Sequence, residues 1–480
     1  MPVCQAGCLE DQAMPSLQNF AKLAIWFLVL ANSSMHSAAQ GTRAAQEPRP
    51  RAPRVPIETC KLGGSVAHIP SKASGPEGLA VRISPPTKAR YPDGAPIAVQ
   101  VTPIPTLDEA PVCLTERGFV DIGFRCPGGG AQPAGGWGES GGRPGPEVCM
   151  EALADVLAFA TGRIRSLDKK PIGEYAGPTK ALTTNVGVIG WSAGGNLATL
   201  TMARHGEQFR GLAWYASWES PVLSSVDVGW GSIFQANRLY DPTTGRVDFT
   251  RLRYSPDMPL WVWPPQGLRS DSSWPRGGLY LDGDNDGTFS RDVDYAFWLE
   301  YRSLKIGAPR KAFYPPAVTR EARDRKVFGG AWPAHVATVE EVEQRANVED
   351  VMRRIPDAVQ RLSNLAVIVF ESDRGHVTNS ADHPHAIAQV NGWLDAGAPW
   401  VRFNPDVHYV EAVMGTRPSR GVQNPAKHKL DRASIADHVE PEADAGGPTD
   451  AQGMTAAACE LADRTYTKTW VPLLDKVLVR

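Results

Sequence analysis

The sequence predicts a mostly parallel β-sheet covered by helices on both faces, interrupted by a large insertion after the sixth core strand. Three observations lead there. Strand-like and helix-like segments alternate from about residue 90 to 225, a glycine-flanked serine sits between one such strand and the following helix, and residues 365–370 form an uninterrupted apolar run of the kind a central parallel strand needs.

The chain opens on what reads as an address. Lys22 precedes the apolar run LAIWFLVLA at residues 23–31, which is too short to span a bilayer, and Ser37-Ala38-Ala39 offers small residues for a signal peptidase. The expectation is a signal peptide over residues 1–39, with Met14 an alternative start, and a secreted or periplasmic product without a stable membrane span after cleavage. An uncleaved anchor or a buried helix is the competing reading. Cleavage removes Cys4 and Cys8 and leaves Cys60, Cys113, Cys126, Cys149 and Cys459. Five thiols allow at most two disulfides, whose pairing the sequence leaves open, and no Cys/His spacing suggests zinc.

Residues 40–89 are a lead-in, rich in Pro, Arg and Ala as far as about Pro56, followed by a strand at 79–84. A turn through Tyr91-Pro92-Asp93-Gly94 leads to a strand at 97–101. The first part of the core, residues 90–225, then runs strand 119–124, helix 147–164, strand 186–189, helix 196–205 stopped by Gly206, and strand 212–216. Residues 226–359 lose this rhythm and are expected to form an insertion that caps the core. The second part, residues 360–480, carries the strand at 365–370, another strand-like stretch at 400–403, a polar loop over 417–453 and a last helix over 461–479.

Composition excludes some classes. The 480 residues are 42% hydrophobic and 21% charged, enough to bury a sizeable core, and the net charge of -2 gives no basic stripe for nucleic acid.

Chemistry concentrates at Ser192, in Gly190-Trp191-Ser192-Ala193-Gly194. A serine on a sharp strand-to-helix turn needs small residues two positions either side, because its backbone is strained and neighbouring elements pass close by. The helix behind it points its N-terminus, and the Ala193 N–H, at the oxyanion formed in acyl transfer.

The stretch GWSAGGNLA resembles the elbow of hormone-sensitive-lipase-like esterases, with Trp191 where they carry Asp. The Trp191-Ser192 pair also resembles the elbow of prolyl-oligopeptidase-like hydrolases. Both belong to the α/β-hydrolase superfamily, so the resemblance implies that fold and a Ser, acid, His order along the chain. It also implies a carboxylic ester, small or polymeric, as substrate. A peptidase is the second reading, since the stretch ahead of the core is too short for the propeller of prolyl-oligopeptidase relatives. A third is an inactive, hydrolase-like protein that binds a partner through its Trp-rich insertion.

The HGGG loop of the lipase-like esterases is replaced by Thr102-Pro103-Ile104-Pro105-Thr106, and proline has no N–H. That leaves Ile104 and Thr106 to donate from this loop; Ile104 is taken as the second oxyanion donor expected, with Gly128-Gly129-Gly130 the alternative. For the acid, Asp373 follows the strand at 365–370, with Glu371 and then Glu219 behind it. For the base, His408 follows the stretch at 400–403, with His376, His383 and His385 as rivals; Asp382-His383-Pro384-His385 reads as a polar turn or a metal cluster.

Within the insertion, Asp282-Gly283-Asp284-Asn285-Asp286-Gly287 has the carboxylate spacing of the first half of an EF-hand loop, with Thr288 at the seventh position and Val293 at the twelfth. Asp292, or Asp294, would close the set. The readings are a structural calcium loop or a plain acidic turn; catalysis by a serine requires no cofactor.

Overall fold

The computed structural model describes residues 60–102, 107–127, 146–220, 222, 239–241, 246–258, 260–261, 268–269, 277–290, 293–297, 300–302, 311–371, 384–416 and 449–470. All of these lie in one compact unit, Ile57–Arg480. The signal-like run at 23–31 falls outside them. Among the described residues no helix is long and apolar enough to cross a membrane.

Eight strands make the main sheet: β1 (Ser65–Ser71), β2 (Gly75–Ser84), β3 (Ala95–Val101), β4 (Val120–Phe124), β5 (Ala181–Trp191), β6 (Leu212–Trp218), β7 (Ala366–Phe370) and β8 (Trp400–Phe403). Their order across the sheet is β1-β2-β4-β3-β5-β6-β7-β8. From β4 to β8 every neighbouring pair is parallel, while β2 runs antiparallel to both β1 and β4.

The apolar runs read as central strands because both faces of the sheet are covered, and successive side chains go to opposite faces. Val186 and Val188 pack into one core cluster and Ile189 and Trp191 into the other; Val367 and Val369 divide from Ala366, Ile368 and Phe370 in the same way. Helices α1 (Pro146–Ala160), α2 (Ala193–His205), α3 (Ile355–Arg361) and α4 (Pro384–Asp395) contribute to the first cluster. Helices α5 (Val407–Met414) and α6 (Asp450–Thr467) contribute to the second.

The last helix differs from its expected span of 461–479. It begins at residue 450, where Thr449 and Gln452 form a capping box, and it ends at Lys468 in a left-handed conformation. Apolar periodicity understates its start because Ala and Gly supply the buried face: a Cβ on Gly453 would lie 2.0 Å from the Phe370 ring. Buried charges then lock α6 in place. Asp463 accepts two hydrogen bonds from Arg90 at 2.6 and 2.7 Å and one from the Tyr91 hydroxyl at 2.8 Å, and Glu460 pairs with both Arg402 and Arg464. Strand β5 likewise runs longer than the expected 186–189, because its first four residues, Ala181-Leu182-Thr183-Thr184, are strand in the less buried part of the sheet.

Within the insertion, strands Leu252–Ser255, Gly278–Leu281 and Tyr295–Ala296 form a small antiparallel sheet. It has its own core, in which Leu252, Leu279, Leu281 and Phe297 meet Tyr314 and Val318. From Val351 onward the chain packs back into the main core, α3 lying against α2. A disulfide joins Cys60 to Cys113; Cys126, Cys149 and Cys459 are free and buried among the described residues.

Candidate active site

Ser192 lies between the end of β5 and the first residue of α2, with φ 50° and ψ −127°. Such a backbone is costly for a residue with a side chain, on the order of 1–3 kcal/mol, and is held only where its surroundings over-determine it. They do. The Ser192 amide donates to the Trp218 carbonyl at the end of β6 (2.8 Å), and the Gly195 amide donates to the Ser192 carbonyl (2.9 Å). Ser192 itself is only half-buried.

The glycines are required by close approach rather than by φ. A Cβ on Gly190 would fall 2.5 Å from the Gly195 Cα, one on Gly194 would fall 2.1 Å from the Val101 carbonyl oxygen, and one on Gly195 would fall 1.7 Å from Ser220 Oγ. The Val101 contact seats the end of β3 against the elbow. Ile104 and Gly128-Gly129-Gly130, expected as oxyanion donors, lie outside the described residues. Ala193, half-buried, is the first residue of α2, so its N–H belongs to the helix N-terminus.

A buried polar set braces the elbow from behind. The Tyr215 hydroxyl on β6 donates to the Gly195 carbonyl (3.0 Å) and accepts from Thr199 Oγ1 (3.3 Å). Beside it Ser217 hydrogen-bonds both Ser220 and Gln389, at 2.9 Å between the two serine hydroxyls and 3.0 Å from Gln389 Nε2 to Ser217 Oγ. Sequence reading missed these groups because they are spread over α2, β6 and α4 with no common spacing.

Because β5 to β8 are parallel, their C-terminal ends share one edge of the sheet, with Ser192, Glu219, Glu371 and Asn404 each immediately beyond its strand. Neighbouring strands are about 4.8 Å apart, so β7 and β8 stand roughly 10 and 14 Å from β5, and the loops after them must reach inward to meet a serine. Asp373 lies outside the described residues, as do His376 and His383. Its neighbour Glu371 is buried, and the Glu371 amide donates to Asn404 Oδ1 at 2.9 Å, which ties the turn after β7 to the turn after β8. Glu219, the third acid expected and the one just beyond the strand next to β5, is also buried, with φ 46°.

His408 stands in the first turn of α5. Its backbone amide donates to Asp406 Oδ1 (3.0 Å), and Asp406 is fixed in turn by Arg402 (3.1 Å) and by its own amide donating to Glu460 Oε2 (2.6 Å). The His408 side chain is 46% exposed, with Nδ1 4.0 Å from Glu411 Oε2. His385 is different: it is buried at the start of α4, and its Nδ1 accepts from the Val222 amide at 3.0 Å. That bond occupies the Nδ1 lone pair with backbone and ties α4 to the segment leaving β6.

In the insertion, carboxylate oxygens of Asp282, Asp284 and Asp294 lie within 4.8 Å of one another. Asp282 accepts from the Asp286 and Gly287 amides (3.1 and 3.0 Å), and Asp294 from the Gly283 and Ser290 amides (2.8 and 2.6 Å). Burial and the like charges of Asp282 and Asp284 push the Asp294 carboxyl above its ordinary value. Asp286 Oδ1 accepts from the Thr288 amide (2.7 Å) instead of joining this group, and Asp292 lies outside the described residues. Arg253 Nε is 3.9 Å from Asp282, and Arg251 donates to the Gly283 carbonyl (2.8 Å).

No protein-family model and no curated protein matches the chain. Solved structures that resemble it include an alpha/beta hydrolase from Penicillium sp. sh18, at 13% identity and TM-score 0.31 over 71% of this chain and 88% of that one. Others are the esterase domain of a Rhodothermus marinus protein (12%, TM-score 0.26, 71% and 87%) and brefeldin A esterase, a bacterial homologue of human hormone sensitive lipase (13%, TM-score 0.36, 87% and 81%). By its own strand order and the strained strand-to-helix turn at Ser192, the chain has the α/β-hydrolase fold.

Proposed function

We propose that this chain is a secreted serine hydrolase that cleaves carboxylic esters through an acyl-enzyme on Ser192. The observation that carries the reading is the geometry of Ser192, a half-buried serine held at φ 50° between β5 and α2 by three glycines that admit no side chain. Strain kept at a half-buried serine is what a nucleophile elbow requires, and a plain turn would relax it by placing glycine there.

In this reading the Ser192 oxygen attacks the ester carbonyl while His408 takes its proton. His408 then gives that proton to the departing alcohol, and water, deprotonated by the same imidazole, releases the acid. Asp373 holds the imidazole in the required tautomer, and the N–H groups of Ala193 and Ile104 receive the oxyanion. For a base on α5, the Asp406–Arg402–Glu460 contacts supply the fixed backbone that precise positioning needs.

The acidic loop is assigned a bracing role, with Asp282, Asp284 and Asp294 as carboxylate donors to a calcium ion. Each carboxylate oxygen has two lone pairs, so the amide hydrogen bonds to Asp282 and Asp294 leave capacity for a cation. Labelling with a fluorophosphonate probe tests the main proposal. Wild type should label and hydrolyse short p-nitrophenyl esters, and Ser192→Ala, folded by circular dichroism, should do neither. A wild-type protein that neither labels nor turns over, or a mutant that still does, overturns it.

A further inference from the structure

Ser192, Glu219 and Asn404 are three of the seven non-glycine residues with positive φ among the described residues, at 50°, 46° and 59°. Each stands immediately beyond a strand, respectively β5, β6 and β8, so strained backbone gathers along the edge of the sheet where the candidate site lies. Ser192 is accounted for as the nucleophile. Asn404 has no part in the chemistry proposed above, yet it is buried, with 1% exposure.

Its bonds run to both segments that carry the remaining triad members. The Asn404 amide donates to the Val369 carbonyl (2.8 Å), and Asn404 Oδ1 accepts from the Glu371 amide (2.9 Å), two residues before Asp373 in the chain. On the other side, the Asn404 carbonyl accepts from Arg402 Nε (3.2 Å), and the same guanidinium bonds Asp406 (3.1 Å), which caps the helix of His408. The Glu371 amide is a donor, so the carboxamide atom facing it is the oxygen, and Nδ2 is left buried with no hydrogen-bond partner among the described residues. Glycine would adopt this φ with less strain and would leave no orphaned donor. The bond to Glu371 is what the asparagine side chain adds.

We propose that Asn404 is a positioning residue for hydrolysis: its carboxamide fixes where the acid turn leaves β7 relative to α5, and so sets Asp373 against the His408 imidazole. This rests on the triad assigned above. Without the side chain the Glu371 amide is no longer held, the acid turn shifts, and the imidazole loses the carboxylate that orients it. Chemistry slows while the binding of substrate is untouched.

Steady-state hydrolysis of p-nitrophenyl acetate by the full chain tests this. Asn404→Gly suits the left-handed backbone and deletes only the side chain. It should lower kcat on the order of a hundredfold, the scale that a misplacement of about 1 Å costs, with KM within about twofold of wild type. In an Asp373→Ala background the same substitution should change kcat by less than about threefold, because the group it positions is already gone. Asn404→Asp keeps an acceptor and the ease of a left-handed backbone, and should stay within about tenfold of wild-type kcat. A wild type without hydrolysis, or Asp373→Ala as active as wild type, overturns the triad reading and this proposal with it. The proposal alone is overturned where wild type is active and Asp373→Ala crippled, but Asn404→Gly keeps its kcat, loses as much in both backgrounds, changes KM instead, or is matched in its loss by Asn404→Asp.

Discussion

Ser220 Oγ occupies the space in which a side chain on Gly195 would begin, 1.7 Å from the position of the missing Cβ. The second glycine of the Gly194-Gly195 pair is therefore set by a residue on the neighbouring β6 turn, and the hydrogen bond from Ser217, itself bonded to Gln389, keeps that residue from moving aside.

Gly195→Ala should destabilise the protein by about 1–3 kcal/mol, the usual cost of overpacking. Ser220→Gly in the same chain should recover part of that loss, because the nearest clashing atoms are then removed. Urea denaturation of the two single variants and the double variant measures the coupling; strictly additive losses would mean that the crowding lies elsewhere.

His408 and His385 should part company when replaced. His408→Ala is expected to lower kcat on the order of a thousandfold with the fold intact. His385→Ala removes the acceptor of the Val222 amide and should instead lower stability by about 1–3 kcal/mol, the cost of a buried donor left unsatisfied, with kcat changed far less. Parallel ester hydrolysis and thermal melts decide the matter, and a crippled His385→Ala beside an active His408→Ala reverses the assignment.

Asp121 in β4 is fully buried, and burial raises its pKa from the ordinary 3.8 to about 7 against the opposing hydrogen bond from Gln100 Nε2 (2.8 Å). The folded state binds this proton more tightly than the unfolded chain does. Its contribution to stability is therefore fully present below the ordinary carboxyl pKa and is lost as pH rises through about 7. Asp121→Asn, which stays neutral, should be close to wild type in stability at pH 4. At pH 8 it should be the more stable by a few kcal/mol, since each pH unit between the folded and unfolded pKa values is worth roughly 1.4 kcal/mol. Denaturation curves at the two pH values check the sign; a variant with the same pH slope as wild type would rule Asp121 out as its source.

Calcium at concentrations well above Kd should raise the melting temperature by several degrees, since a ligand at a hundred times Kd adds about 2.7 kcal/mol. EDTA should reverse the gain, and Asp284→Asn with Asp294→Asn should abolish it, because those two side chains and Asp282 bring their oxygens together. Ester hydrolysis at low temperature should be unchanged by chelation. A melting curve indifferent to both calcium and EDTA would leave the loop an acidic turn neutralised by Arg253.

The sequence by itself determined the elements whose information is local. Apolar runs at 97–101, 186–189 and 365–370 read as strands because covering both faces of a parallel sheet needs no alternation, and the glycines around Ser192 marked a turn under steric pressure. Only the tertiary structure decided what depends on partners far along the chain: Ser220 against Gly195, Asn404 holding the Glu371 amide, Cys60 paired with Cys113, and His385 bound to Val222. It also placed the start of α6 at residue 450, where a capping box and small residues against Phe370 replace the apolar stripe that sequence reading follows. Local patterns report which surfaces of an element are apolar. The groups that meet across the sheet edge are fixed by strand order, and no spacing in the chain encodes that order.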